Sequence, residues 1–197
     1  GLDRAICGAA AERAMQATYG ARRAPDLEDL SHCRLLLLWG HNPASTAPHV
    51  MPAIRQAQRA GCEVVVIDPR RSRSAKSADA HLAPRPGTDA ALALTLLQLL
   101  DSEGRWDEAF VAQRCLGGEA LRSRVKEWTA ARGAEICGLD EGAIRDLARR
   151  LGTRRPTMIK LADGLQRHEN GGQTVRAVAA LPAVLGQVGV RGGGLYY

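Results

Sequence analysis

An α/β fold is what this 197-residue chain predicts: a doubly wound, mostly parallel, Rossmann-like sheet with flanking helices. Three observations carry that expectation. RLLLLW at residues 34–39 and EVVVI at 63–67 are short apolar runs closed off by turn residues, the pattern of strands buried on both faces. Residues 47–60 between them follow a helical pattern that stops at Gly61. The result is a strand–helix–strand unit in about 35 residues, the repeat of an open parallel sheet.

The remaining elements follow in order. Residues 4–19 are alanine-rich and free of proline, which predicts a helix ended by Gly20. Residues 25–31 read as a polar connection. A short third strand is expected around 81–83, and then Thr88 or Asp89 caps a helix running to about Leu100. That helix is apolar almost all round, with Thr95 and Gln98 its main polar positions. It therefore needs cover on both sides, from the sheet and from something else, which could be a part of a longer parent. Residues 107–114, 118–131 and 140–151 read as surface helices, so that roughly 101–152 forms a helical insert within a single domain spanning 1–197. TMIKL at 157–161 is a further strand, and 171–188 a last helix with Pro182 as a kink.

Composition narrows the function classes. Apolar residues make up 45% and aromatics 4%, so the core is built mainly from Leu, Ala, Val and Ile. The net charge is +6, and only Lys76, Lys126 and Lys160 among the 27 basic residues are lysines. These charges are spread along the chain without interleaved aromatics, which argues against a nucleic-acid binder. A bias toward arginine is the commoner explanation, and a surface suited to a polyanionic ligand is the functional one. Cysteines at 7, 33, 62, 115 and 137 form no C-x-x-C motif and suit reduced thiols in a cytoplasmic setting, although export of a folded parent to the periplasm is compatible too. No run is long enough to span a membrane.

In an open parallel sheet, ligands bind beyond the carboxyl ends of the strands. Four loops of this chain are expected there. Gly40 lets a phosphate approach the backbone, and Asn42 offers an amide. Asp68 stands where such folds bind ribose hydroxyls, and Arg70 can fork to a phosphate. Gly87 shapes the third turn, and Asp89 at a helix start can accept two hydrogen bonds from the edge of guanine. Gly164 and Gln166 lie in the fourth loop. Each feature alone is an ordinary turn, but together they suit a guanine nucleotide with a pyrophosphate. The absence of G-x-G-x-x-G after the first strand, and of a P-loop anywhere, disfavours a common dinucleotide fold or an NTPase.

WGHNPASTAPH, VVVIDPRRSRSAKSADAHLAPRPGTDAALAL and GLQRHENGGQTVRAVAALPAVLGQVGVRGGGLYY closely resemble the molybdopterin oxidoreductases of the dimethyl sulfoxide reductase, formate dehydrogenase and nitrate reductase type. The resemblance covers nearly the whole chain. It implies an excised domain that binds one guanosine–pyrophosphate end of bis-molybdopterin guanine dinucleotide, with molybdenum or tungsten. By that resemblance Gly40 and Asn42 lie against phosphate and nucleoside, Asp68 and Arg70 face ribose and guanosine, and Gly87 and Asp89 form the guanine-reading turn. Gly164, Gln166 and Gly171 approach the pterin side. Cys7 falls where the family places its cysteine or selenocysteine metal ligand; a small buried hydrophobe is the bland alternative. Cys33, Cys62, Cys115 and Cys137 read as structural, and His168 as a loop residue. The resemblance further implies a 4Fe-4S cluster in an N-terminal region absent here, the remaining domains of a parent chain, and electron-transfer subunits. The parent is then an enzyme, transferring electrons or an oxygen atom, and the isolated piece inactive. The alternative is a non-catalytic electron-transfer scaffold resembling the large iron–sulfur subunit of respiratory complex I.

Overall fold

The computed structural model describes residues 8–21 and 24–197. Five strands form one sheet: β1 (Leu35–Trp39), β2 (Glu63–Ile67), β3 (Ala80–Leu82), β4 (Thr157–Leu161) and β5 (Gly194–Tyr196). Their order is β3-β2-β1-β4-β5 and every pairing is parallel. β1 is central, with Leu35 opposite both Glu63 and Thr157, and Trp39 opposite both Ile67 and Leu161. All five residues of β1 are buried, as expected of a strand covered on both faces. Neighbouring connections leave β1 in opposite directions toward β2 and β4, so the switch point where such folds bind ligands lies between β1 and β4.

Alternation along the strands divides the core in two. Leu35, Leu37, Trp39, Val65, Ile67, Ile159 and Leu161 point to one side. There they meet α1 (Ala9–Tyr19), α5 (Asp89–Ser102) and α10 (Gly171–Val184). Leu36, Leu38, Val64, Val66 and Met158 point to the other, against α3 (Met51–Arg59) and the short 3-10 turn Leu27–His32. Two single-turn helices, α2 (Pro43–Thr46) and α4 (Arg73–Lys76), cap the ends of this second layer. Pro182 sits inside α10 without ending it.

The structure departs from the expected elements at five points. Residues 47–60 are not one helix: Pro43 and Pro48 start separate short turns before α3 begins at Met51, because proline favours a first helical turn and interrupts a running one. The segment 118–131 likewise divides into α7 (Gly118–Val125) and α8 (Ala130–Cys137), since the Thr129 side chain accepts from Arg132 N and starts a new helix. The cover for α5 comes from this chain itself. α6 (Glu108–Arg114), α7, α8 and α9 (Glu141–Thr153) form a helical layer, and α8 approaches so closely that a Cβ on Gly133 would lie 2.3 Å from Thr95 Oγ1. Its members are also less superficial than the sequence suggests, with Ile144, Leu147, Ala148 and Leu151 of α9 all buried. Finally, β5 was unmarked, its run of glycines concealing a three-residue edge strand.

Candidate nucleotide-cofactor site

The four predicted loops do emerge together at the carboxyl ends of β1–β4, and hydrogen bonds interlock them. Gly40 N donates to Ile67 O at 2.8 Å, joining the first loop to the second, and Asp68 N donates to Leu82 O at 3.0 Å, joining the second to the third. Asn42 is held by Ser74, whose hydroxyl donates to Asn42 Oδ1 at 2.7 Å and accepts from Ala44 N at 3.1 Å. Asp68 Oδ1 accepts from Arg70 N at 2.8 Å, a local turn that fixes the backbone while the Arg70 side chain stays exposed. His81 Nε2 lies 2.8 Å from Asp68 O and braces the same turn from β3.

Asp89 is the best-defined acid of the group. Thr88 occupies the cap position of α5 but makes no side-chain cap, its hydroxyl donating instead to Arg85 O at 2.7 Å. The Asp89 carboxylate turns inward, where Oδ1 accepts from the indole Nε1 of fully buried Trp39 at 2.7 Å. Burial pushes this carboxyl above its ordinary range; the Trp39 bond and nearby His168 pull it down, and Asp68 pushes it up again. Residues from three loops thus converge on one carboxylate. Gly87 belongs to the same place: its φ is +83°, and a Cβ there would only touch the His168 ring at 3.6 Å.

The fourth loop is occupied differently. A Cβ on Gly40, whose φ is +59°, would meet Leu165 Cδ1 at 2.2 Å, and one on Gly164 would lie 3.2 Å from Gly40 O. Loops one and four therefore pack back to back across the switch point. Gln166 accepts from Ala11 N at 2.8 Å through Oε1, and its amide donates to Asp163 Oδ1 at 2.9 Å and to the Tyr197 hydroxyl. Gly171 starts α10 so close to this loop that a Cβ would sit 2.3 Å from Gln166 O. The structure thus explains Gly164, Gln166 and Gly171 by contacts within the chain. Cys7 lies outside the described residues. Among those that are described, no group of three or more His, Cys, Asp or Glu could hold a metal ion, and no helix is long and apolar enough to cross a membrane.

Sequence reasoning placed the four loops together and missed the side chains that brace them. Trp39, Ser74, His81 and His168 support the predicted positions from 13 to 79 residues away in sequence, and no local pattern marks such pairs. His41 was also passed over. It is only 6% exposed, its Nδ1 is buried without a hydrogen-bond partner among the described residues, and burial with the Lys160 charge lowers its pKa to about 4.

The profile of the molybdopterin oxidoreductase family matches residues 5–196. The chain belongs to this family. It is 36% identical over 193 residues to a probable oxidoreductase, YoaE, of Bacillus subtilis, covering 98% of this chain and 28% of that protein. It is 35% identical to the acetylene hydratase of Syntrophotalea acetylenica over 86% of this chain and 23% of that one. The solved acetylene hydratase of Pelobacter acetylenicus superposes with a TM-score of 0.84 at 32% identity, covering 96% of this chain and 26% of that structure. The assimilatory nitrate reductase catalytic subunit of Bacillus subtilis is 31% identical over 93% of this chain and 26% of its own length. The chain thus spans about a quarter of the length of these relatives. Its all-parallel α/β sheet is that of a molybdopterin oxidoreductase domain.

Proposed function

We propose that this domain serves a molybdenum or tungsten enzyme by holding one guanosine–pyrophosphate end of bis-molybdopterin guanine dinucleotide. The observation that carries the reading is the carboxylate of Asp89, buried, fixed through one oxygen by Trp39, and placed beside the open turn at Gly87. Burying an acid is costly unless it is hydrogen-bonded, and a guanine edge presents the two N–H donors that such a carboxylate can accept. Asp68, half-buried and turned by its own backbone bond, suits ribose hydroxyls, and the exposed Arg70 guanidinium suits a phosphate. Gly40 and Asn42, held by Ile67 O and by Ser74 and Ser45, would shape the loop at the switch point against the phosphate and nucleoside.

The residues present fit the nucleotide end of the cofactor at three of the four loops. At the fourth, Gly164, Gln166 and Gly171 would act toward the pterin through backbone groups and through the shape they give the loop. When bound, the metal–pterin unit supplies the electron-transfer or Lewis-acid chemistry, while this chain binds and orients it. The relatives include a hydratase as well as oxidoreductases, so the cradle, and not one reaction, is what they have in common with this chain. In a longer protein that contains this chain, Cys7 would be the thiolate ligand of the metal, and a 4Fe-4S cluster, further domains and electron-transfer subunits would complete the path. The isolated chain is expected to be inactive. Metal analysis of the full-length protein tests the proposal: one molybdenum or tungsten per chain supports it, and iron alone supports an electron-transfer scaffold without molybdopterin.

A further inference from the structure

Cys33 and Cys62 occupy the opposite end of the sheet from the candidate site. Cys33 lies two residues before β1, and Cys62 immediately precedes β2. Both are free thiols, 1% and 3% exposed, and both belong to the apolar layer under α3. The parallel register sets Leu35 against Glu63, and Glu63 N donates to Arg34 O at 3.0 Å, so the pairing continues back to Arg34 and Cys62. Cys33, in extended backbone, is the diagonal neighbour of Cys62. Strand spacing and rise put such diagonal Cα atoms about 6 Å apart, within the range that a disulfide spans. The sulfurs converge as well. Cys33 Sγ donates to Leu35 O at 3.0 Å, the Cys62 thiol lies 3.7 Å from Glu63 O, and each thiol shifts the ionisation of the other. No such partner exists for the other described cysteines: Cys137 donates to Thr88 O, and Cys115 stands apart beside α6.

We infer that Cys33 and Cys62 form a dithiol that peroxide oxidises to a disulfide, stapling the starts of β1 and β2. The closed loop contains β1, the Gly40–Asn42 turn and α3, so the staple would lock the strand pair that carries two of the candidate cofactor loops. The neighbouring Cys62 thiol lowers the pKa of Cys33, which makes Cys33 the attacking sulfur. Its sulfur takes one peroxide oxygen as the O–O bond breaks, and the other oxygen leaves as water. Cys62 sulfur then attacks, the S–S bond forms, the S–O bond breaks, and the hydroxyl leaves with the Cys62 proton as a second water. Two electrons pass from the dithiol to peroxide.

Peptide mapping of the full-length protein after hydrogen peroxide treatment under native conditions is the test. Tryptic peptides 24–34 and 60–70 should appear joined without reductant and separate with it. Cys115→Ser should leave the link intact, and Cys33→Ser should abolish it. The oxidised protein should also melt at a higher temperature than the reduced one, and reductant should reverse the shift. Oxidation of half-buried Cys115 with no 24–34/60–70 link, or a link from either peptide to another cysteine instead, would overturn the inference. The map of the unsubstituted protein decides this even where a serine variant fails to fold.

Discussion

Replacing Trp39 with Phe removes one hydrogen bond and leaves Asp89 Oδ1 buried without its indole partner. A bond to an ionised group contributes roughly 1.5–3 kcal/mol, and the structure gives this one a short distance and a fully buried donor. The smaller ring also leaves a cavity, so the single variant overstates the bond. A double-mutant cycle with Asp89→Ala isolates it, because alanine removes the acceptor that an asparagine oxygen would still supply, and two groups in contact should not have additive effects. Urea unfolding at pH 7 should give a coupling energy of about 1.5–3 kcal/mol. The sign of the pH dependence is fixed too. Losing the Trp39 bond raises further a carboxyl that burial already raises. A raised folded-state pKa contributes stability that is present in acid and lost as pH rises through it, so the Trp39→Phe penalty should be larger at neutral than at acid pH. A coupling below about 0.5 kcal/mol, the size of an ordinary additivity error, together with a pH-independent penalty, would refute the reasoning.

Three further outcomes are expected. His41, held to a pKa of about 4 against 6.5 when unfolded, stays neutral in the folded chain while the unfolded chain protonates, so it should cost about 3 kcal/mol of stability as pH falls from 6.5 to 4; His41→Asn should flatten the urea midpoint over that window. Gly171→Ala drives a Cβ to 2.3 Å from backbone oxygen and should prevent stable folding, whereas Gly87→Ala meets only a ring at 3.6 Å and should cost about 1–2 kcal/mol for its positive φ, as read by thermal melting. Gln166→Ala cuts the link from α1 to the β4 loop and Tyr197, and hydrogen exchange should show faster opening at Ala11 N with β1 and β2 unchanged.

What the sequence made legible were the features that physics writes locally. β2 and β4 were read with their true ends because a run buried on both faces has no polar position to confuse it. The loops at the carboxyl ends of the strands were legible for a similar reason: turns after strands draw on a short list of residue types, and Gly40, Asp68 and Gly87 come from it. The partners were not, because the Trp39–Asp89 and Ser74–Asn42 bonds join residues 50 and 32 positions apart. Nor was the packing around the late glycines, where Gly40 and Gln166 of the same chain fill the space beside Gly164 and Gly171. β5 escaped because Gly192, Gly193 and Gly194 read as a flexible end, while close contacts of Gly192 with His32 and Cys33 and of Gly193 with Gln187 show how tightly that turn is packed.

The most direct test of the account is the guanine content of the full-length protein that contains this chain, measured as GMP released by acid hydrolysis per protein chain alongside molybdenum or tungsten, for the unsubstituted protein and for Asp89→Asn. Asparagine keeps the shape but replaces a charged acceptor with a neutral amide that presents N–H donors toward guanine's own. The account predicts GMP in the unsubstituted protein and, after purification, a clear fall in retained GMP for Asp89→Asn, roughly ten- to hundredfold weaker binding for the loss of about 1.5–3 kcal/mol. Equal GMP in both proteins, or metal without any GMP, would contradict it.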